Sequence, residues 1–170
     1  MLRWLGVFLL LGSGLMMGMT AAGEIRTRVR DLSDLSAAMS VMAGELRLNL
    51  PDTPALMKKL SEKTEGKAAD LFRLCGEKLE GLETKGFGEL WREAVNETGL
   101  ELEQEEQAAL LHLGTELGGC EGGHLIGLAE ETGRVLSAAA DRNRTLLREQ
   151  GRIYGTIGIS LGAFVAVLLF

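Results

Sequence analysis

Apolar residues recur along the chain at helical spacing. Ile25, Val29, Leu32, Leu35, Met39, Met42 and Leu46 step by threes and fours, the stripe of an amphipathic helix. The stretch NLPDTP, Asn49 to Pro54, interrupts it, and Thr53 is expected to cap a second helix with Pro54 in its first turn. That helix carries Leu56, Met57 and Leu60 and is expected to stop near Gly66. A third is predicted from about Ala68 to Leu82, with Leu71, Phe72, Cys75 and Leu79 on one face. Lys85 to Gly88 reads as a turn. A short fourth helix, about Glu89 to Glu97, places Leu90, Trp91 and Val95 and ends at Gly99. A fifth, about Glu103 to Leu117, has an apolar face of Leu110, Leu113 and Leu117 and an acidic, solvated first turn. The sixth starts near His124, with Leu125, Leu128, Thr132, Val135 and Ala139 inward and Gly133 as a weak point. Strand signal is slight. The chain is therefore expected to be all-α: an antiparallel bundle of about six helices.

Two runs depart from this amphipathic pattern. Trp4 to Gly23 is a stretch of twenty residues without a charge, and Ile153 to Phe170 is one of eighteen. A bilayer core needs roughly 20 apolar residues as helix. The domain plan is then 1–23 as an N-terminal transmembrane helix, 24–152 as a helical domain, and 153–170 as a C-terminal transmembrane helix. The last bundle helix is expected to continue into the second span. A secretory signal peptide is the competing reading of the first run, although its apolar stretch is longer than the usual ~7–15 residues.

Charge adds orientation. All 24 acidic residues lie between the runs, as do the 18 basic ones except Arg3, so that region carries net −7. Arg26, Arg28 and Arg30 follow the first run, and Arg142, Arg144, Arg148 and Arg152 precede the second. Positive residues stay on the cytoplasmic side, so the central domain is expected to be cytoplasmic, with the lipid bilayer as its neighbour. The acidic balance argues against nucleic acid.

The stretch LGTELGGCEGGHLIGL, Leu113 to Leu128, crowds glycines with a cysteine and a histidine. Its glycines match neither a P-loop nor a dinucleotide fingerprint, and no lysine occurs after Lys85. His112, Cys120, His124 and distant Cys75 are the only cysteines and histidines, with no C-x-x-C pair, which disfavours a metal site. Cys120 and His124 lack a third group to orient a nucleophile. No catalytic residue, metal or cofactor is expected. The stretch reads instead as a helix–turn–helix corner. Gly114 would admit a neighbouring helix, and Gly118 would end the fifth helix in a left-handed conformation. A thiol or metal sensor built on Cys120 and His124 remains an alternative function.

The same corner resembles the stage III sporulation protein AB family. Leu113, Gly114, Leu117 and Gly118 fit that family's Leu/Phe-Gly-x-x-Leu-Gly-x-x-Asp signature, with Glu121 at the Asp position. Glu45, Asn49 and Pro51 are similar to a further segment, with Asn49 suited to a left-handed turn where the family tends to have Gly. The resemblance runs along essentially the whole chain. It implies a soluble part similar to the cytoplasmic domain of type II secretion system F proteins. It further implies a non-enzymatic platform in the channel complex between mother cell and forespore. The implied partners are a secretion-type ATPase like stage III sporulation protein AA and sister membrane proteins, in the mother-cell membrane around the forespore. A secretion or pilus platform outside sporulation is the neighbouring alternative. The sequence leaves self-association open.

Overall fold

The structure is a computed structural model. It describes the backbone of residues 2–49, 51–81, 86–119 and 122–169, and the side chains of 23–48, 51–79, 86–119 and 123–148. Among the described residues it is all helical: α1 (Leu2–Asn49), α2 (Thr53–Lys63), α3 (Gly66–Gly81), α4 (Phe87–Glu97), α5 (Gln104–Leu117) and α6 (Gly122–Leu169). The chain divides into two compact units, Arg28–Ala140 and the pair Met1–Thr27 with Asp141–Phe170.

The unit Arg28–Ala140 follows the apolar stripes. Leu32, Leu35, Met39, Met42 and Leu46 of α1 are all buried, and so are Leu56, Met57 and Leu60 of α2. They join Leu71, Phe72, Cys75, Trp91, Leu110, Leu113 and Leu136 in one core. Each fully buried side chain of this size stabilises by roughly 1.5–3 kcal/mol. α4 and α5 lie antiparallel, since Gly88 faces Thr115 and Phe87 faces Gly118. α1 and α6 are also antiparallel: Ser36 Oγ donates to the Gly133 carbonyl at 2.9 Å, while Arg47, further along α1, pairs with the earlier Glu130.

Helix ends differ from expectation by a residue or two, and the differences have causes. Asp52, not Thr53, stands at the α2 N-cap, in extended backbone and without a side-chain bond. Pro54 fills the first turn, where its missing N–H costs no bond. α2 stops at Lys63 because Thr64 turns extended and its hydroxyl donates to the Leu60 carbonyl at 2.7 Å. α3 starts at Gly66, whose φ of +63° is the left-handed region that favours glycine. Gly99 takes the same conformation after α4.

Three expectations are corrected. Gly118 is not left-handed: its φ is −81°, and the turn closes through Gly119 N–H donating to the Glu116 carbonyl at 3.1 Å. Gly133 is not a weak point. It is buried, and a Cβ there would come within 3.2 Å of Met39 Cβ, so a side chain at this position would crowd α1. Val135 is only half-buried, whereas Leu136 is fully buried with Thr132, Ala139 and Ala140. Leu125, Leu128, Thr132 and Ala139 are buried as expected, and only Val135 yields its inward place, to Leu136.

Both α1 and α6 are 48-residue helices. Continuity of the sixth helix was expected; that of the first was not, though no proline or cap separates Gly23 from Glu24. Among the described residues no helix is long and apolar enough to cross a membrane. The expected spans at 4–23 and 153–170 have their side chains, Gly23 excepted, outside the described residues.

Candidate functional site

The corner identified in the sequence is built on one contact. An alanine Cβ at Gly114 would sit 2.0 Å from Trp91 Cδ1, so the α4 indole occupies the space a side chain would need. Trp91 is fully buried, and its Nε1–H donates to the Leu110 carbonyl at 2.8 Å. Phe72 and Phe87 flank it, each with a ring centroid 6.0 Å away in tilted geometry. Leu113 and Leu117 of the signature are buried beside this cluster, and Gly118 passes 3.1 Å, measured at an ideal Cβ, from Phe87 Cβ. Gly114 therefore does admit a neighbouring helix. Glu121 and Cys120 lie outside the described residues. What the described residues of the corner provide is close packing.

A second feature runs along α1 and is electrostatic. Arg28 lies 2.8 Å from Glu103 and donates to both carboxylate oxygens of Glu106 at 3.0 Å. Glu106 is 1% exposed, and it also accepts the Glu103 backbone N–H at 2.8 Å in a capping box. The expected solvated acidic turn holds for Glu101, Glu103 and Glu105, which are exposed, but Glu106 faces inward because an arginine from α1 meets it there. The E-x-x-E spacing at Glu103 and Glu106 was the available signal for the cap; nothing local announced Arg28 as the partner. Further along, Asp31 pairs with Lys67 at 2.8 Å, and Lys67 also donates to the Gly99 carbonyl at 3.0 Å. Burial pushes the Asp34 carboxyl up despite the pull of Arg30.

Glu45 of the resemblance is buried near the end of α1, bonded by Lys63 at 2.5 Å and Lys59 at 3.1 Å. These bonds, Lys63 first, hold its carboxyl below the usual carboxylate range. A depressed carboxylate stabilises the fold above its unfolded pKa of about 4.3, and that contribution is lost as pH falls through the lower folded value. Glu45→Gln should therefore narrow the gap in melting temperature between neutral pH and pH below about 4. Parallel Tm–pH curves for the two proteins would contradict this. Pro51 is half-buried after α1, and Asn49, expected in a left-handed turn, is the last residue of that helix.

The remaining chemical groups are inert or apart. Cys75 is a free, buried thiol, and burial pushes its pKa up to about 12. The native protein should leave Cys75 unmodified by iodoacetamide at pH 8 and react only after denaturation; mass mapping of rapid native alkylation at Cys75 would refute this. His112 and His124 are exposed. Among the described residues no group of three or more His, Cys, Asp or Glu side chains could hold a metal ion. A surface groove of about 330 Å3 between α2 and α3 exposes Lys58, Arg73 and Glu77, but Arg73 is already held by Asp70 and Glu77.

The seven arginines beside the apolar runs are not equivalent. Arg28 is engaged by its two glutamates, Arg30 lies 3.7 Å from Asp34, and Arg144 pairs with Asp141 at 2.9 Å. Arg26, Arg142 and Arg148 are exposed, and the Arg152 side chain lies outside the described residues.

Comparison with known proteins bears on this arrangement. The family described as stage III sporulation protein AB matches residues 3–170. No curated protein matches the chain. A solved structure of stage III sporulation protein AB (SpoIIIAB) is similar with a TM-score of 0.62 at 15% identity, covering 72% of this chain and 97% of that one. At that identity the likeness concerns the fold.

Proposed function

The chain belongs to the stage III sporulation protein AB family, and from that premise we propose a specific role for it in sporulation. It acts as a non-enzymatic membrane platform of the channel complex between mother cell and forespore. Its helical domain couples a cytoplasmic ATPase of the secretion type, like stage III sporulation protein AA, to sister membrane proteins. The runs 4–23 and 153–170 anchor it in the membrane around the forespore, with the central domain cytoplasmic. The observation that carries this reading is the extent of the family match, from residue 3 to residue 170, through both apolar runs and the domain between them. The mechanism in this reading is mechanical: tilt or rotation passes along α6.

Capture of the solubilised full-length protein from sporulating cells, followed by mass spectrometry, tests the coupling. Recovery of a secretion-type ATPase together with sister membrane proteins is the expected result; recovery of neither overturns it. Topology needs a separate probe, because Cys75 is buried and would be protected on either side. Ser137 is exposed on α6, so Ser137→Cys in a Cys120→Ser background supplies an accessible thiol. It should resist an impermeant maleimide in intact cells and label after permeabilisation.

A further inference from the structure

Three carboxylates follow one another along the edge of α1 that faces α2 and α3. Asp31, Asp34 and Glu45 fall within about 60° of each other around the helix axis. The outer two are matched from the facing helices: Lys67 reaches Asp31 at 2.8 Å, and Lys59 and Lys63 both donate to Glu45. Asp34 is matched differently. Its one ion pair among the described residues is with Arg30 of its own helix, Nε at 3.7 Å, on a side chain that is 74% exposed. Across from it, the turn between α2 and α3 brings Gly66 and a second carboxylate, Glu65. Gly66 has φ +63°, and a Cβ there would lie 2.9 Å from Asp34 Oδ2, so the backbone approaches the carboxylate with no side chain over it.

We propose that the cleft between α1 and this turn is a docking site for an arginine side chain of a partner protein. The guanidinium meets Asp34 and Glu65, and its methylene stem lies along Ala37, Ala38 and Val41.

Shape and charge both select this occupant. The cleft has a volume of about 240 Å3, and Ala37, Ala38 and Val41 of α1 give it an apolar wall. Asp34 stands about 4.5 Å before Ala37 and about 10 Å before Val41 along the helix, so charge and apolar wall lie at different levels. A long side chain with an apolar stem and a charged head fits such a division. A bare metal ion would leave the wall uncovered, and among the described residues no group of three or more His, Cys, Asp or Glu could hold one. Lys63 borders the same cleft, but its ammonium is bonded to Glu45. Arginine suits the position better than lysine, because its planar fork of donors can serve two carboxylates at once and sheds water more readily.

The fold itself does not gain from the Asp34 charge. Burial pushes the Asp34 carboxyl up, Asp31 and Glu65 push the same way, and Arg30 does not offset them. A raised value means that ionisation is less favourable in the folded chain than in the unfolded one. Removing the charge should therefore leave the fold as stable or more stable, which separates a binding role from a structural one.

The test uses the full-length chain in detergent micelles with 13C-labelled alanine and valine methyl groups, and acetyl-arginine methylamide as the probe. The probe should shift the methyl signals of Ala37, Ala38 and Val41 in a saturable way and leave that of Ala94, buried on α4, in place. Acetyl-citrulline methylamide, nearly the same shape without the charge, should have little effect. Asp34→Asn and Glu65→Gln should each weaken the arginine probe several-fold, with melting temperature unchanged or raised. Glu89→Gln, at an exposed glutamate on α4, should change neither reading. Absence of shifts at the three methyls, equal shifts from the citrulline probe, or undiminished binding by Asp34→Asn overturns the proposal. Shifts of the same methyls on concentrating the chain without probe would assign the cleft to a second copy and overturn the assignment to a different protein. None of these outcomes depends on the membrane or ATPase reading.

Discussion

Gly114→Ala lowers the stability of the helical domain by about 3 kcal/mol, an unusually large effect for a single added methyl group. The new Cβ would lie 2.0 Å from Trp91 Cδ1 and 2.2 Å from Cγ, distances that no real structure tolerates. Something must move, and the indole is poorly placed to do so. It is fully buried, tied through Nε1 to the Leu110 carbonyl, and flanked by Phe72 and Phe87. Shifting it breaks a buried hydrogen bond, which costs about 1–3 kcal/mol when the partner is left unsatisfied. Expelling it altogether approaches the roughly 3–5 kcal/mol of a Trp→Ala truncation. Moving α4 away from α5 instead would open the contacts of Gly88 with Thr115 and of Gly118 with Phe87. Gly118→Ala should be milder, about 1–2 kcal/mol, since its Cβ would meet only Phe87 Cβ at 3.1 Å. Denaturant melts of the full-length chain measure both. A loss below about 1 kcal/mol at Gly114 would show that Trp91 does not fill that space. Trp91→Leu introduced together with Gly114→Ala should recover part of the loss, and a double-mutant cycle quantifies the coupling.

Glu106→Ala is expected to cost about 3–5 kcal/mol, the usual effect of removing one partner from a buried ion pair. The substitution acts twice. It leaves the Arg28 guanidinium largely buried, with only the exposed Glu103 carboxylate at 2.8 Å as counter-charge. It also removes the acceptor for the Glu103 backbone N–H, opening the capping box of α5. Glu103→Ala should do much less, because that carboxylate is 63% exposed and solvent screens it. The pair Arg28→Met with Glu106→Leu should be markedly more stable than Glu106→Ala alone, since two apolar groups need no counter-charge. Equal losses for Glu103→Ala and Glu106→Ala would mean that burial of Glu106 is not what gives the pair its strength.

Much of the fold was legible before any contact was known. The apolar stripe from Leu32 to Leu46 predicted the buried face of α1, and NLPDTP and Gly99 marked real ends. Such signals are local, because helical periodicity and proline or glycine geometry act within a few residues. Errors arose where two segments distant in sequence decide the outcome. Gly133 carries the intrinsic helix penalty of any glycine, yet a side chain there would crowd Met39 of α1. Gly118 follows a helix end, a common place for left-handed backbone, but here the turn closes with φ negative, with Phe87 passing close by.

The candidate site divides along the same line. That Gly114 would receive a neighbouring helix could be stated from its position on a helix face; that the neighbour is Trp91 could not. Arg28 and Glu106 are separated by 78 residues, and one looked like a membrane-flanking cation and the other like a solvated helix start.

The sequence by itself determined the helical class, the approximate breaks, the segregation of charge between two apolar runs, and the family. The first three depend on local periodicity and composition, and the family on the resemblance of Leu113, Gly114, Leu117 and Gly118 to its signature. Only the tertiary structure decided which glycines are filled by a neighbour, which carboxylate is buried, and which arginine meets it there. Those outcomes depend on which helix faces meet, and a burial or pairing energy exists only once both partners share the same space.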